Sequence, residues 1–169
     1  YESVLVKHSI VFPGNKFVFV KDCSVECNDI SGNGVLFADN SQYCNCERVR
    51  FKFEKIYNTG GVFGNNSTFC KMSDCYFDIT SLHNSGGVFG NNSSQCYGNG
   101  VFMYISQLHN SGGVFGNNCK SSKIENSYTL SITYRQLNSY TIVDNNGIYS
   151  NSGGIFGKNA TDCEVSKCY

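Results

Sequence analysis

The sequence predicts an all-β fold: a parallel β-solenoid (β-helix) of about six coils, each roughly 26 residues long. Three observations predict it. One nine-residue phrase, NSGGVFGNN, stands at 84–92 and again at 110–118, with close copies NTGGVFGNN at 58–66 and NSGGIFGKN at 151–159. The phenylalanines of these phrases keep a period: Phe37, Phe63, Phe89 and Phe115 are 26 residues apart. Phe156 follows after 41, which is 26 plus a 15-residue insertion. Twelve to sixteen places beyond each Phe lies an alternating stretch, VRFKF, CYFDI, VFMYI or SYTLS. Alternation with β-branched and aromatic residues indicates strands, and strands recurring at a fixed interval indicate a stack of equivalent units.

Composition fits this reading. A chain of 169 residues suits one domain, and 40% hydrophobic with 14% aromatic residues suffices for a core. One proline and eighteen glycines, with few strong helix formers, indicate many turns and little helix. Thirteen basic against thirteen acidic residues give no basic footprint for nucleic acid. The longest apolar candidate, SIVFPGNKFVFV, is interrupted by Pro13, Gly14 and Lys16, so no membrane span is expected. The chain opens on Tyr1 without a signal-like segment, and is expected to be a processed product or a fragment.

The coils follow in order. A degenerate first coil covers about 1–33, marked by Phe12, which stands 25 residues before Phe37. Regular coils run over 34–135, an insertion loop over about 137–151, and a last coil over 152–169. Three places after the Phe, Asn40, Asn66, Asn92, Asn118 and Asn159 form a column, with Asn15 in the first copy. Stacked asparagines can bond amide to amide from coil to coil, so this column is expected to be a structural ladder. Seven places after the Phe, Cys44, Cys70, Cys96 and Cys163 share an interior column with Ser122. Further inward columns are Val49/Cys75/Val101/Ser127/Cys168 and Phe51/Phe77/Met103/Thr129, and a later one ends on Tyr134. The paired glycines, such as Gly60–Gly61 and Gly153–Gly154, mark close approach or positive φ. The following Gly-Asn-Asn suits a tight corner, because Asn tolerates the left-handed region. A phosphate-cradling loop would need G-x-x-x-x-G-K-[ST] between strand and helix, and that context is missing.

The segments GGVFGNNSTFCKMSDCYFDI and GGVFGNNCKSSKIENSYTLSI resemble the GLUG repeat, a Gly-Gly-Leu-Val-Gly phrase with an Asn-Ser-Tyr or Asn-Cys-Tyr segment about a dozen residues on. Here that segment reads SDCY, ENSY and SKCY, and the third coil departs with GNGVF. The resemblance covers roughly 34–169. It implies a right-handed parallel β-helix of the kind found in secreted or surface adhesin-like proteins, and it brings no catalytic residue.

The chemistry-bearing residues offer few candidate sites. The ten cysteines suit buried free thiols, with some disulfides as the alternative, since parallel Cβ vectors in a stack bridge poorly. Cys23, Cys27 and Cys119 fall off the main column and are the first candidates for bridging or reactivity. Cys44-x-Cys46 lacks zinc spacing. His83 and His109 share a column beside Tyr57 and Arg135 with no third ligand, so a polar ladder is expected and no metal. Asp78 between Lys52 and Tyr104, Asp74 between Arg48 and Gly100, distant Glu47 and Glu125, and Asp144 in the insertion form no acid–base pair. No catalytic residue and no cofactor are therefore expected. An outward column of Arg50, Tyr76, Phe102, Tyr128 and Tyr169, with Tyr104 and Leu130 beside it, offers a contact surface. Tyr76, Phe102, Tyr104 and Tyr128 are its core. Sequons at Asn65, Asn66, Asn91, Asn92 and Asn159 matter only in a secreted eukaryotic setting.

The expected function is non-enzymatic: a structural or adhesive piece of a surface adhesin, fibre, filament or virion coat, located outside the cell or on a cell or virion surface. No polar cap follows the KCY stretch, so the expected partner is a second copy stacked end to end, or the rest of a longer solenoid. A glycan-binding module using the aromatic column is the alternative. A polysaccharide lyase would need the missing acid–base cluster, and an ice-binding face would need a regular Thr-x-Thr column.

Overall fold

The computed structural model describes residues 16–131 and 154–168. Phe12, Asn15, the insertion over 137–151 with Asp144, and Tyr134, Arg135, Gly153 and Tyr169 lie outside the described residues. Nine strands occur among the described residues: β1 (Phe19–Lys21), β2 (Ser24–Ser31), β3 (Asn45–Glu47), β4 (Arg50–Tyr57), β5 (Lys71–His83), β6 (Tyr97–His109), β7 (Lys123–Glu125), β8 (Tyr128–Ser131) and β9 (Glu164–Ser166). Every pairing is parallel. One path runs β1-β3-β5-β6-β7-β9, while β2 pairs with β4, β4 with β5 and β8 with β6.

The register repeats the sequence period. Phe51 faces Phe77 and Phe77 faces Met103; Val20 faces Cys46, which faces Met72. Across the insertion Ile124 faces Val165, so the added residues leave the stack in step. Between the long strands single bridges link Phe37, Phe63, Phe89, Phe115 and Phe156. Each coil is thus the template for the next. The chain winds a β-solenoid of about four turns, not the six read from the repeated phrases. Five phenylalanine marks delimit four turns, and the sixth mark, Phe12, lies outside the described residues.

The core is built from like on like. The rings of Phe37, Phe63, Phe89, Phe115 and Phe156 stack with centroids 4.7–4.9 Å apart and planes within 16°. That interval is the strand spacing of about 4.8 Å, so the backbone ladder dictates the ring stack. Such pairs add about 0.5–1.5 kcal/mol beyond their area burial. Along β4 the inward side chains are Phe51, Phe53 and Ile56, with polar residues between them.

The repeated phrase makes a bend. Val62 and Phe63 both donate their N–H to the carbonyl of Val88, and Val88 and Phe89 both donate to Val114. Two successive donors on one acceptor form a bulge, which turns consecutive side chains, Val and Phe, into the interior. All of Val62, Phe63, Val88 and Phe89 are fully buried.

The preceding glycines serve close approach. A Cβ on Gly86 would lie 2.1 Å from the Phe89 carbonyl oxygen and 2.4 Å from the Gly116 nitrogen. Positive φ falls elsewhere, on corner residues that recur every coil: Asn66, Phe69, Asp74 and Asn84 in one turn, and Asn92, Gln95, Gly100 and Asn110 in the next. Asn suits two of these corners because its short side chain tolerates the left-handed region.

Candidate contact surfaces

The Asn66 column lies at a positive-φ corner, with φ of 58° at Asn66, 58° at Asn92 and 57° at Asn118. Asn118 Nδ2 donates to Asn92 Oδ1, and Asn159 Nδ2 donates to Asn118 Oδ1, each at 3.1 Å. The residue before it carries a second ladder that the sequence reading missed. The backbone N–H of Asn91 donates to Asn65 Oδ1 at 2.8 Å, and that of Asn117 donates to Asn91 Oδ1 at 2.8 Å. The same side chains reach back within their own coil, Asn91 Nδ2 to the Asn84 carbonyl at 2.6 Å and Asn117 Nδ2 to Asn110 at 2.7 Å. Each such amide therefore ties one coil to its neighbour and one corner to the next. Asp39 fills this place in the earlier coil, accepting from the Asn65 N–H at 2.7 Å.

All ten cysteines are free thiols. Cys44, Cys70 and Cys96 are buried in their shared column, and Cys163 is half-buried. The three residues placed off the column prove to belong to other inward columns. Cys27 faces Phe53, Cys23 precedes the Val49 and Cys75 positions, and Cys119 takes the place of the buried Ser41, Ser67 and Ser93. None is bridged; Cys119 Sγ and Cys163 Sγ are 3.7 Å apart. Burial pushes the Cys46, Cys96 and Cys119 thiols well above the ordinary thiol range, so these stay neutral.

His83 and His109 stack face to face at 4.3 Å, with Tyr57 stacked on the other side of His83 at 4.8 Å. His83 Nε2 shares a hydrogen bond with Ser81 Oγ at 2.8 Å. Partial burial, then His109 and Lys55, hold His83 below its ordinary range. No group of three metal-ligating side chains occurs among the described residues.

The carboxylates bind their neighbours. Asp22 receives a two-pronged contact from Arg48 at 2.6 and 3.0 Å, and this guanidinium holds the Asp22 carboxyl below the usual range. Arg48 also meets Glu47. Glu26 pairs with Lys52 at 3.0 Å, raising the Lys52 ammonium. The Tyr97 hydroxyl donates to Glu125, so the phenol is pushed up to about 12 and the carboxyl is lowered. Lys123 links Glu125 at 3.5 Å and Glu164 at 3.6 Å. Asp78 sits between Lys52 and Tyr104 on adjoining strands, as a rung of the outer face.

Of the four aromatic residues picked as a contact surface, Tyr76, Phe102 and Tyr128 are exposed and Tyr104 is half-buried. The Arg50 guanidinium lies 5.1 Å from the Tyr76 ring centroid and covers its face. Phe102 and Tyr128 tilt 45° against each other at 5.2 Å. A second exposed column, Phe17, Tyr43 and Phe69, was missed. Its rings stack at 5.1 and 4.9 Å with planes nearly parallel, and all three residues have positive φ. The period alone identifies it, since these positions are also 26 apart. Tyr43, between two rings, presents its edge to solvent, whereas Phe17 at the end of the column is stacked on one face only and is 76% exposed.

The two ends of the described stack form the remaining surface. β1 and β2 at one end and β9 at the other each pair on one side only among the described residues. Val165 in β9 is 49% exposed, although its column neighbour Ile124 is fully buried. No helix among the described residues is long and apolar enough to cross a membrane. No protein-family model matches the chain, and neither does any curated protein or solved structure.

Proposed function

We propose that this chain is a non-enzymatic structural element, a rigid solenoid segment that builds a surface fibre, filament, adhesin or virion coat by stacking end on end. One observation carries this reading. Equivalent residues lie over one another through the whole stack, so an end strand offers an incoming coil the same ladder that its own neighbour already uses. An edge strand with open N–H and C=O groups is a ready template for strand addition. Head-to-tail contact between unlike ends is heterologous and extends into filaments unless the rotation closes a ring. Glycan stacking is the weaker use of the aromatic columns, since Arg50 and neighbouring rings already occupy ring faces that a sugar would need.

Sedimentation velocity over a wide concentration range, joined to negative-stain imaging, tests the proposal. Rods that lengthen with concentration are expected. A strictly monomeric species at high concentration would overturn it.

A further inference from the structure

The register of the stack also specifies which residues would meet at a junction between two copies. Following the ladder from β1 through β3, β5, β6 and β7 to β9 places Val20 and Val165 in one column at its two ends. Two positions on, the positive-φ corner column begins with Asp22, runs through Arg48, Asp74, Gly100 and Asn126, and ends with Lys167. A second copy docked in step by one strand spacing would set residues 161–168 of one chain against 16–23 of the next.

We infer that this chain joins a second copy of itself in register and head to tail, with Lys167 of one copy pairing with Asp22 of the next over a Val165–Val20 apolar contact. This rests on the proposed structural role, and it adds the partner's polarity and register. The charge order supports it. Within the chain, Asp22 and Arg48 already pair at 2.6 Å across the same corner, one coil apart. Lys167 at the junction would continue that alternation on the outer side of Asp22. It is an exposed corner residue whose charge acts on Glu125 without an ion-pair contact within 4 Å among the described residues.

The flanking columns agree. The Glu164 side chain, 73% exposed, would stand over Phe19, whose ring carries the Lys21 ammonium at 5.8 Å from its centroid. A carboxylate is thereby brought to an ammonium. No column over 16–23 sets like charge against like: Lys16 meets Thr161, Lys21 meets Ser166 and Asp22 meets Lys167. A slip of one residue would turn every inward side chain outward, so the apolar Val20 and Val165 columns fix the step.

The test uses the 169-residue chain and three variants, Lys167→Asp, Asp22→Lys and Lys167→Arg, in sedimentation velocity at low salt, with circular dichroism to verify folding. Lys167→Asp places a carboxylate over Asp22 and raises the concentration needed for assembly about tenfold or more. Lys167→Arg assembles as the parent chain does. Mixing Lys167→Asp with Asp22→Lys in equal amounts restores assembly, because both junctions of the alternating filament are then complementary. If the parent assembles and Lys167→Asp assembles equally well, or if the folded pair fails to rescue, the register is wrong while the structural role stands. Should Asp22→Lys lose its fold through repulsion from Arg48, the contrast between Lys167→Asp and Lys167→Arg decides alone. A parent chain that never assembles overturns the structural role and this junction together.

Discussion

His83 shows how a residue's column decides its chemistry. Burial is the largest influence holding it below the ordinary imidazole range, and His109 in the next coil and Lys55 in the preceding coil add to it. Its protonated form is therefore less favoured in the folded chain than in the unfolded one. Stability linked to this group is complete above the unfolded value of about 6.5, and falls as pH drops below it. The effect stays small, because the ring is only half-buried and its edge is screened by solvent. Urea midpoints should be lower at pH 5 than at pH 7.5, and His83→Asn should narrow that gap. An unchanged gap would mean that other groups carry the acid sensitivity. The two histidines were legible as a ladder from their spacing. The Ser81 hydrogen bond was not, because it depends on a side-chain direction that periodicity leaves open.

Among the elements, the bend at Gly-Gly-Val-Phe sets the shape of each coil. Phe89 is wholly buried between Phe63 and Phe115, so Phe89→Ala should cost about 3–5 kcal/mol in denaturant unfolding. Gly86→Ala should cost more than about 4 kcal/mol or prevent folding, since its Cβ would strike backbone atoms that cannot turn aside. Gly98→Ala is the control. Its Cβ would meet Ile124 and Val101 at 3.4 Å or more, and its φ is not positive, so the change should be neutral or stabilise by up to about 1 kcal/mol. Comparable losses at Gly86 and Gly98 would contradict the bend. Sequence alone pointed to a turn here and left close approach and positive φ as equal explanations for the glycines. It also identified the Asn66 column, but not the Asn65 column that ties the backbone together. Both recur at the same interval, and only the corner geometry tells which amide reaches the next coil.

At the scale of the whole molecule, the period made the fold legible. Identical spacing from Phe37 to Phe115 set the strand registers before any contact was known, and Phe156, 41 residues after Phe115, bridges it in the same column. The number of turns was less legible, because repeated phrases mark boundaries and a turn lies between two of them. The exposed Phe17, Tyr43 and Phe69 stack escaped notice for a different reason: aromatic residues rarely take positive φ, so nothing local signalled a corner there. Strain of this kind persists only where the surrounding stack determines the backbone. The same dependence makes every coil rely on its neighbours and gives the end coils a reason to acquire one.

Isotope-edited nuclear Overhauser measurements test the stack most directly, because the central claim concerns which backbone atoms are adjacent. The account predicts cross-strand contacts between residues one period apart, such as Phe51 with Phe77, Phe77 with Met103 and Ile79 with Ile105, in the parallel pattern. Contacts symmetric about a turn, with strands running antiparallel as hairpins, would contradict it.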